Sequence, residues 1–376
     1  MKSHGAVLLK TQQNVRNDWH VEELEVSPPK RGEVMVKLKA AGLCHSDNHA
    51  AAGDQAVDFA PFLGGHEGAG IVEQVGEDVT ELSVGDHVTC TFMPSCGKCV
   101  PCVRGVGQLC DRGAGLLQGV MLDGTNRIHT AAGEPVGPMT YLGTFSERIV
   151  TPVDSVIKID DDIPFPAAAV AGCAVPTGWG TAVRIADVEI DDVVVVLGVG
   201  GVGMSAVQGA KHAGAREIIV IDPVEFKRQE APRFGATHVA GSIEEAMGLL
   251  TDLTHGRMAD KVIVTIGVVE GTMIQPMLGM LAKGGTMAIA GVSSMWDTEA
   301  AFNVFGFVMM QQTIKGGLYG GLQPHVDIPL LLDRYRRGQL MIDEMITRTY
   351  SLDQINEAYA DMEAARNIRG VILYDD

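Results

Sequence analysis

The sequence predicts an α/β protein in which a β-rich first part is followed by a doubly wound parallel sheet. From about residue 176 onward, short apolar runs alternate with helical patterns. The run Val193–Leu197 is apolar throughout, which is typical of a strand that helices cover on both faces. Before residue 150, short alternating runs are punctuated by glycine, which indicates strands joined by tight turns.

The first part contains three segments with the pattern of strands. Apolar and polar residues alternate over 34–40, which predicts a half-buried strand. Shorter strands are expected at 71–72 and 87–88. The stretch 105–143 is irregular and rich in glycine, so we expect a long excursion there with little regular structure.

The second part is an ordered alternation of strands and helices. In chain order we expect strand Val193–Leu197, helix 202–213, strand 218–221, helix 224–234, strand 262–266 and strand 287–290. Such an alternation predicts parallel strands joined by crossover helices. Apolar residues over 302–310, followed by 313–318, indicate an edge strand that pairs with a second chain.

Helical patterns return near the end of the chain. A helix is expected over 328–337, and Ser351 and Gln354 form a capping box in front of another helix. A strand over 371–374 completes the predicted elements.

The composition excludes several classes of protein. Hydrophobic residues make up 46% of the 376 residues and charged residues 20%, which is typical of a globular chain. The net charge of −18 makes nucleic acid and anionic membrane poor candidates as surface partners. The N-terminus lacks the apolar core of a signal peptide, and no apolar stretch reaches the roughly 20 residues that span a bilayer. We therefore expect a cytoplasmic protein.

Four of the seven cysteines form a cluster. Cys96-x2-Cys99-x2-Cys102-x7-Cys110 supplies four thiolates, the complete tetrahedral shell of a structural zinc site. A closed shell leaves no position for chemistry, so this metal would hold the loop together. Cysteines without metal, or joined in disulfides, are the alternative that an intracellular location disfavours. A nucleic-acid-binding zinc module is another, disfavoured by the acidic charge.

A glycine loop follows the apolar strand Val193–Leu197. The segment 198–203 matches GxGxxG between a strand and a helix, the context in which this motif binds a dinucleotide. Its candidate cofactor contacts are Gly198, Gly200, Gly201, Val202 and Gly203. The alternative is an ordinary turn between a strand and a helix.

Asp222 ends the next predicted strand, 24 residues after Gly198. Its carboxylate could accept hydrogen bonds from both hydroxyls of an adenosine ribose and would repel a 2′-phosphate, which favours NAD over NADP. Lys227 could flank the same ribose, or it could be an ordinary solvated charge.

The remaining cysteines and histidines are dispersed. Cys44 opens a polar stretch, His66 lies between glycines, and Cys173 precedes the second part. Two thiolates and one imidazole make a catalytic zinc shell with one open position. Their spacing along the chain does not show that the three residues lie in one site. Each could instead be a buried and inert residue, as we expect for Cys90.

Together these motifs resemble the zinc-containing medium-chain alcohol dehydrogenase family along the whole chain. The most specific parts are Gly65-His66-Glu67, the four-cysteine loop, Pro176-Thr177-Gly178 and the glycine loop. The resemblance implies a Rossmann NAD-binding domain, 176–318, inserted into a GroES-like catalytic zinc domain, 1–175 and 319–376. It further implies NAD, two zinc ions per chain and a homodimer or homotetramer.

The resemblance also implies roles for individual residues. Cys44, His66 and Cys173 would hold the catalytic zinc, with Asp47 orienting the histidine and Glu67 nearby. Ser46 and His49 would relay the proton, and Phe92 and Ser46 would lie beside the substrate. Besides the glycine loop, the implied cofactor contacts are Asp222, Lys227, Thr177, His45, Val292 and Arg369. His45 is a departure, because many members carry arginine there.

The implied reaction is reversible hydride transfer between a primary or secondary alcohol and NAD, giving an aldehyde or a ketone. The segment 113–144 resembles the longer loop of the formaldehyde-related branch. It also resembles the nicotinoprotein branch, whose members keep NAD bound and are assayed with nitrosoaniline acceptors. The alternatives are a thiol-adduct-dependent formaldehyde dehydrogenase, a zinc-free reductase on the same scaffold, and a non-catalytic protein that keeps the fold.

Overall fold

The computed structural model describes residues 1–10, 18–57 and 59–375. They divide into two compact units, of which the first joins Met1–Cys173 to the C-terminal segment from Gln323, and the second is Ala174–Leu322. The second unit begins two residues before, and ends four residues after, the predicted domain 176–318. Within the described ranges, every helix is too short or too polar to traverse a lipid bilayer.

Up to Cys173 the first unit consists mainly of short strands. These are β1 (Lys2–Leu8), β2 (His20–Val26), β3 (Glu33–Gly42), β4 (Phe62–Leu63), β5 (Gly68–Val75), β6 (His87–Cys90), β7 (Ile128–Thr130), β8 (Pro135–Pro138), β9 (Arg148–Pro152) and β10 (Val156–Lys158). The helices of this part are α1 (His45–Ala52), α2 (Val100–Val103) and α3 (Phe165–Ala171).

The second unit alternates helices and strands. Its helices are α4 (Ala174–Gly180), α5 (Gly201–Ala213), α6 (Glu225–Phe234), α7 (Ile243–Thr254), α8 (Ile274–Gly279) and α9 (Val304–Met309). Its strands are β11 (Val193–Leu197), β12 (Glu217–Ile221), β13 (His238–Ala240), β14 (Ala259–Val264), β15 (Leu281–Ile289) and β16 (Thr313–Gly316).

The C-terminal segment adds two helices and two strands to the first unit. They are α10 (Pro324–Arg336), β17 (Ile346–Tyr350), α11 (Ile355–Glu363) and β18 (Arg369–Leu373). Helix α10 begins one turn before the predicted 328, because Pro324 is well suited to the first turn of a helix. The predicted capping box of Ser351 and Gln354 is confirmed.

Two β-structures build the first unit. Strands β1, β2, β7, β8 and β4 close into a barrel, and a seven-stranded sheet has the order β10-β6-β5-β3-β18-β17, with β9 also paired to β3. Within 105–143, where little regular structure was expected, the structure has two short strands, β7 and β8, that were not predicted individually. Strands of three and four residues that include Pro135 and Gly137 leave too short a pattern to detect.

The second unit contains one parallel sheet, as predicted. Its strand order is β13-β12-β11-β14-β15-β16, and every neighbouring pair is parallel. All five residues of β11 are buried, which explains its uniformly apolar sequence. The order reverses between β11 and β14, the position at which such sheets bind ligands. Of the apolar stretch 302–310, residues Val304–Met309 form a helix, and β16 is the edge strand.

Candidate active site

Strand register in the seven-stranded sheet brings distant segments together. Ala41 of β3 lies opposite Gly68 of β5, and Cys90 of β6 lies opposite the same glycine. Val371 of β18 lies opposite Gly42. The segments that follow β3 and β6 and the segment that precedes β5 therefore lie at one end of the sheet.

Those segments carry the predicted site residues. Cys44 is the N-cap of α1 after β3, and His66 and Glu67 directly precede β5. Cys173 follows α3, where a Cβ on Gly172 would lie 2.2 Å from the Cys90 carbonyl oxygen. Glycine thus permits the close backbone approach that holds this end of α3 on β6.

The structure brings Cys44, His66, Glu67 and Cys173 into one buried cluster. One ligand atom from each residue lies within 4.8 Å of the others. Three of the four are the predicted zinc ligands, and Glu67 joins them as a possible fourth donor. Two thiols, an imidazole and a carboxylate are a donor set that suits zinc.

Asp47 fixes the orientation of His66. Its Oδ1 lies 3.1 Å from Nδ1 of His66 and accepts the Gly65 backbone N–H at 3.0 Å. Asp47 is fully buried, so solvent does not compete for these bonds. An imidazole that donates Nδ1–H to a carboxylate has Nε2 available for a metal.

Burial and neighbouring charges shift the pKa values of all four cluster residues. A hydrogen bond with Cys173 lowers the pKa of Cys44 well below its ordinary range and raises that of Cys173. Burial raises the pKa of Glu67 to about 7, although Arg369 opposes this. Burial disfavours the charged imidazole of His66, but Asp47 and Cys44 outweigh it and raise its pKa. Two sulfurs, an imidazole nitrogen and a carboxylate oxygen that lie together away from solvent are donors that zinc prefers, so the residues fit a zinc ion.

Arg369 supplies one positive charge to this pocket. Its guanidinium is 5% exposed and forms an ion pair with Glu67. Burial opposes the charge, but Glu67 outweighs it and raises the pKa of Arg369. The predicted contact of Arg369 with a pyrophosphate stays a prediction.

Helix α1 carries the predicted relay residues. Ser46 is half-buried, and its Oγ lies 3.7 Å from the Sγ of Cys44. His49 is three residues later on the same helix face and is 4% exposed. His45 begins the helix and is exposed.

Phe92 packs against the cluster from the end of β6. Its ring meets that of His66 edge to face, with centroids 5.6 Å apart. It therefore presents an apolar surface beside the candidate zinc ligands, and its place beside the substrate stays a prediction.

The four clustered cysteines form a second group of candidate ligands. Their sulfurs lie within 4.8 Å of one another. Backbone N–H groups of Cys96, Lys98 and Cys99 donate to sulfurs at 3.4–3.5 Å, a contact that favours thiolates. Backbone hydrogen bonds from Asp111 and Cys102 lower the pKa of Cys99 to about 7, while burial raises that of Cys110 to about 12. This group also fits zinc, with no fifth protein donor in the set.

The glycine loop has the geometry of a nucleotide-binding turn. Gly198 adopts φ +82° at the end of β11, a conformation that favours glycine. A Cβ on Gly203 would lie 1.9 Å from the Gly198 carbonyl oxygen, and one on Gly178 would lie 1.9 Å from that of Val202. Gly200 is the N-cap of α5 and Gly201 its first residue, so the unpaired N–H groups of the helix start here.

Asp222 ties the next strand to this loop. The backbone N–H of Val199 and that of Val224 each donate to one of its carboxylate oxygens at 2.9 Å. The carboxylate is thereby fixed beside the glycine loop, where an adenosine ribose would lie. Lys227 is half-buried on α6.

Thr177 and Val292 also belong to the second unit. Thr177 precedes Gly178, the residue that α4 packs onto α5, and is therefore close to the glycine loop. Val292 is exposed and forms an isolated parallel bridge with Val268 beyond the ends of β14 and β15. Thr177 therefore lies beside the glycine loop, and Val292 lies beyond the carboxyl ends of parallel strands.

Sequence reasoning missed three residues that contact the site. Tyr359 donates its hydroxyl to the Cys44 carbonyl at 3.5 Å, and Thr144 donates its own to the Glu67 carbonyl at 2.9 Å. Asp54 lies 2.9 Å from the ring of His49. Of these three, only Asp54 is near its partner in sequence. The signal that could have found it is an acid directly after a helix-ending glycine, because such a side chain can reach back to the last turn.

Comparison with known proteins agrees with this geometry. Residues 30–161 match the family model "Alcohol dehydrogenase GroES-like domain", and residues 201–336 match "Zinc-binding dehydrogenase". Alcohol dehydrogenase B of Mycobacterium tuberculosis H37Rv is 47% identical over 377 residues, which cover 100% of this chain and 99% of that protein. The NDMA-dependent alcohol dehydrogenase of Amycolatopsis methanolica is 44% identical over 376 residues, with the same coverage.

A solved structure gives the same result at the level of the fold. Benzyl alcohol dehydrogenase of Acinetobacter calcoaceticus superimposes with a TM-score of 0.90 and 28% identity, covering 100% of both chains. The predicted class, a Rossmann-type sheet with a β-rich GroES-like domain, is confirmed. The family implies zinc and a nicotinamide cofactor. The chain therefore belongs to the zinc-containing alcohol dehydrogenase family of oxidoreductases.

Proposed function

We propose that this protein is a zinc-dependent alcohol dehydrogenase. It would transfer a hydride reversibly between a primary or secondary alcohol and NAD, giving an aldehyde or a ketone. The observation that carries this proposal is the convergence of Cys44, His66 and Cys173 in one buried cluster. The names of the relatives, which are alcohol dehydrogenases, support it.

The catalytic metal would be held by Cys44, His66 and Cys173. When bound, the zinc ion supplies Lewis acidity toward the alcohol oxygen, and the nicotinamide supplies the hydride acceptor. Through its bond to Nδ1, Asp47 would leave Nε2 of His66 as the nitrogen that binds the metal. Glu67 lies within reach of the same position, and its ion pair with Arg369 holds it there.

The remaining site residues would move the proton and exclude water. Ser46 lies beside Cys44 and would accept the proton of the alcohol, while His49, one helical turn on, would pass it toward solvent. Phe92 covers the edge of His66 and favours an apolar substrate tail.

The second unit, Ala174–Leu322, would bind NAD. The glycine loop at the start of α5 would face the pyrophosphate, and the fixed carboxylate of Asp222 would accept the ribose hydroxyls. Further contacts are proposed for Lys227, Thr177, His45, Val292 and Arg369. Resemblance to an NDMA-dependent enzyme supports NAD that stays bound and is reoxidised by an external acceptor.

The four-cysteine group would hold a second, structural zinc ion, giving two per chain. All four sulfurs are within 4.8 Å of one another, and the described segment around them contains only helix α2 and short helical turns. Zinc–thiolate sites persist in a reducing compartment, which supports a cytoplasmic location.

Assembly into a homodimer or homotetramer would use the second unit. Helix α9 exposes Val304, Phe305, Val308 and Met309, each at least 64% exposed, and edge strand β16 follows it. Exposed apolar patches next to a sheet edge are typical of an interface between copies.

The test is the metal and nucleotide content of the purified protein together with turnover of alcohols. We expect two zinc ions per chain and NAD that either co-purifies or binds when it is added. We also expect oxidation of a primary alcohol with NAD or NDMA as the acceptor. Turnover of formaldehyde only in the presence of a low-molecular-weight thiol would favour the thiol-adduct enzyme. A protein without zinc and without alcohol oxidation would contradict the proposal.

A further inference from the structure

His49 has a carboxylate partner at the end of its own helix. Nδ1 of His49 lies 2.9 Å from Oδ2 of Asp54, and the imidazole is almost completely buried. The Asp54 side chain is 34% exposed, so the pair connects a buried ring to a half-exposed acid.

The backbone builds this pair. Helix α1 ends at Gly53, which adopts the left-handed conformation with φ 77°. The chain then turns back, and the backbone N–H of Asp54 donates to the His49 carbonyl at 2.9 Å. Main chain and side chain of Asp54 therefore both bind His49, which makes the contact a feature of the helix terminus.

The chemistry of the pair fixes the proton on the ring. An ionised carboxylate has only acceptor capacity, so the bond requires the hydrogen on Nδ1. Nε2 of a neutral His49 is then the basic nitrogen. When Nε2 accepts a proton, the Nδ1–H bond to Asp54 remains intact, and the carboxylate stabilises the imidazolium that forms.

We propose that Asp54 is a positioning residue of the proton relay, which holds His49 in the tautomer that can accept a proton from the direction of Ser46. This inference rests on the proposed function, in which His49 moves the alcohol proton. Asp54 acts only through His49 and touches neither substrate nor cofactor in this scheme.

The first test reads the tautomer without turnover. Protein labelled with ¹⁵N-histidine gives one pair of ring nitrogen signals per histidine, and His49→Gln assigns those of His49. In the wild-type protein we expect the hydrogen on Nδ1 and an unprotonated Nε2. In Asp54→Asn we expect a mixture of the two tautomers. A neutral wild-type ring with its hydrogen on Nε2 and none on Nδ1 would overturn the proposal whatever the enzyme catalyses.

The second test asks whether Asp54 acts through His49. In the wild-type background we expect Asp54→Asn to lower kcat by about 10- to 100-fold, with the KM for the alcohol within about twofold. In the His49→Gln background the same change should lower kcat by less than about twofold. Equal losses in both backgrounds would show that Asp54 acts independently of His49.

Glu147→Gln is the matched control. Glu147 also lies beside a histidine ring, with its Oε1 3.4 Å from Nδ1 of His4, but that pair is exposed and outside the site. The control should leave kcat and the His49 signals unchanged. Absence of alcohol oxidation in every protein, with the expected tautomers present, would contradict the proposed function and leave the pairing of Asp54 with His49 supported.

Discussion

Cys44 and Cys90 place the same side chain in two different electrostatic environments. Both are buried, with 7% and 0% exposure. Burial alone acts on Cys90 and raises its pKa to about 12, so the thiol stays protonated and inert. Cys44 has Cys173, Arg369 and His66 as neighbours, which together lower its pKa. The surroundings, and not burial, therefore separate a ligand from a core residue.

Replacing Cys44 by serine should remove the catalytic metal site. We expect kcat for alcohol oxidation to fall at least about 100-fold, because the weaker hydroxyl ligand loosens the metal. Zinc content should fall by one ion per chain, measured by mass spectrometry of metals. Cys90→Ala is the control and should keep both zinc content and activity while lowering the melting temperature. Full activity in Cys44→Ser would exclude Cys44 from the mechanism.

A network of charged hydrogen bonds binds the segment 123–127, which follows β6, to the start of β3. The buried guanidinium of Arg127 donates to both carboxylate oxygens of Glu33, at 2.7 and 2.5 Å, and to Asp123 at 2.9 Å. Lys30 also donates to Asp123, at 2.9 Å. Burial works against the Asp123 carboxylate, but the hydrogen bonds from Lys30, Thr125 and Arg127 outweigh it and lower its pKa.

This network makes the free energy of unfolding depend on pH in the acid range. A carboxyl whose pKa is lower in the folded state contributes stability above its unfolded pKa of about 4, and this contribution is lost as the pH falls through the folded pKa. Asp123→Asn should therefore be less stable than wild type at pH 7, with the difference shrinking below about pH 4. Urea unfolding over this pH range measures it.

Asp297→Asn is the control for the loss of charge, because Asp297 lies in an exposed turn. Its unfolding midpoints should run parallel to those of wild type across the pH range. A difference between Asp123→Asn and wild type that stayed constant down to pH 2 would contradict the linkage.

At the scale of elements, helix α5 and strand β11 are joined by backbone that leaves no space for a side chain. A Cβ at Gly203 would lie 1.9 Å from a carbonyl oxygen that the strand holds in place. Helix α7 also contains a glycine, Gly248, but nothing lies within 4 Å of a Cβ built there. The two glycines share a secondary structure and differ only in what surrounds them.

Gly203→Ala should therefore displace α5 from β11. We expect a loss of about 1–3 kcal/mol or more in the free energy of unfolding, together with weaker NADH binding. Urea unfolding and NADH fluorescence titration measure the two effects. Gly248→Ala should instead stabilise the protein by roughly 0.5–1 kcal/mol, because alanine is the better helix former. Equal stabilities of the two variants would show that the loop tolerates a side chain.

At the scale of the whole molecule, we expect assembly through the exposed helix α9. Phe305 is 76% exposed in the single chain, so a charge there costs the fold little. Phe305→Asp should weaken the oligomer by at least about 30-fold in Kd, as a change of about 2 kcal/mol at an interface hot spot does. Light scattering coupled to size exclusion would show a smaller particle.

Phe226→Asp is the control for a new surface charge, since Phe226 is also exposed, on α6. It should leave the particle size unchanged. A wild-type protein that runs as a monomer at all concentrations would contradict the assembly.

Local patterns in the sequence were sufficient for the central part of the second unit. Uniformly apolar β11, the glycine loop and the acid after β12 lie within 30 residues of one another, and the interactions that they report are short in range. Strands β11, β12, β14 and β15, helices α5 and α6 and the parallel arrangement were therefore predictable, as was the four-cysteine group. Strand β13 and helix α7 were not predicted, and Val304–Met309, expected to belong to an edge strand, is a helix. Strands β7 and β8 were not predictable, because three or four residues are too few to show a period.

Only the tertiary structure decided which dispersed residues meet. Cys44, His66 and Cys173 are joined by the register of β3, β5 and β6 and by α3 packing on them, and no local pattern encodes that convergence. Sequence alone allowed each to be an inert core residue, like Cys90. Resemblance to a family selected the three, and the folded sheet supplies the physical reason: strand ends bring together residues that are far apart in sequence.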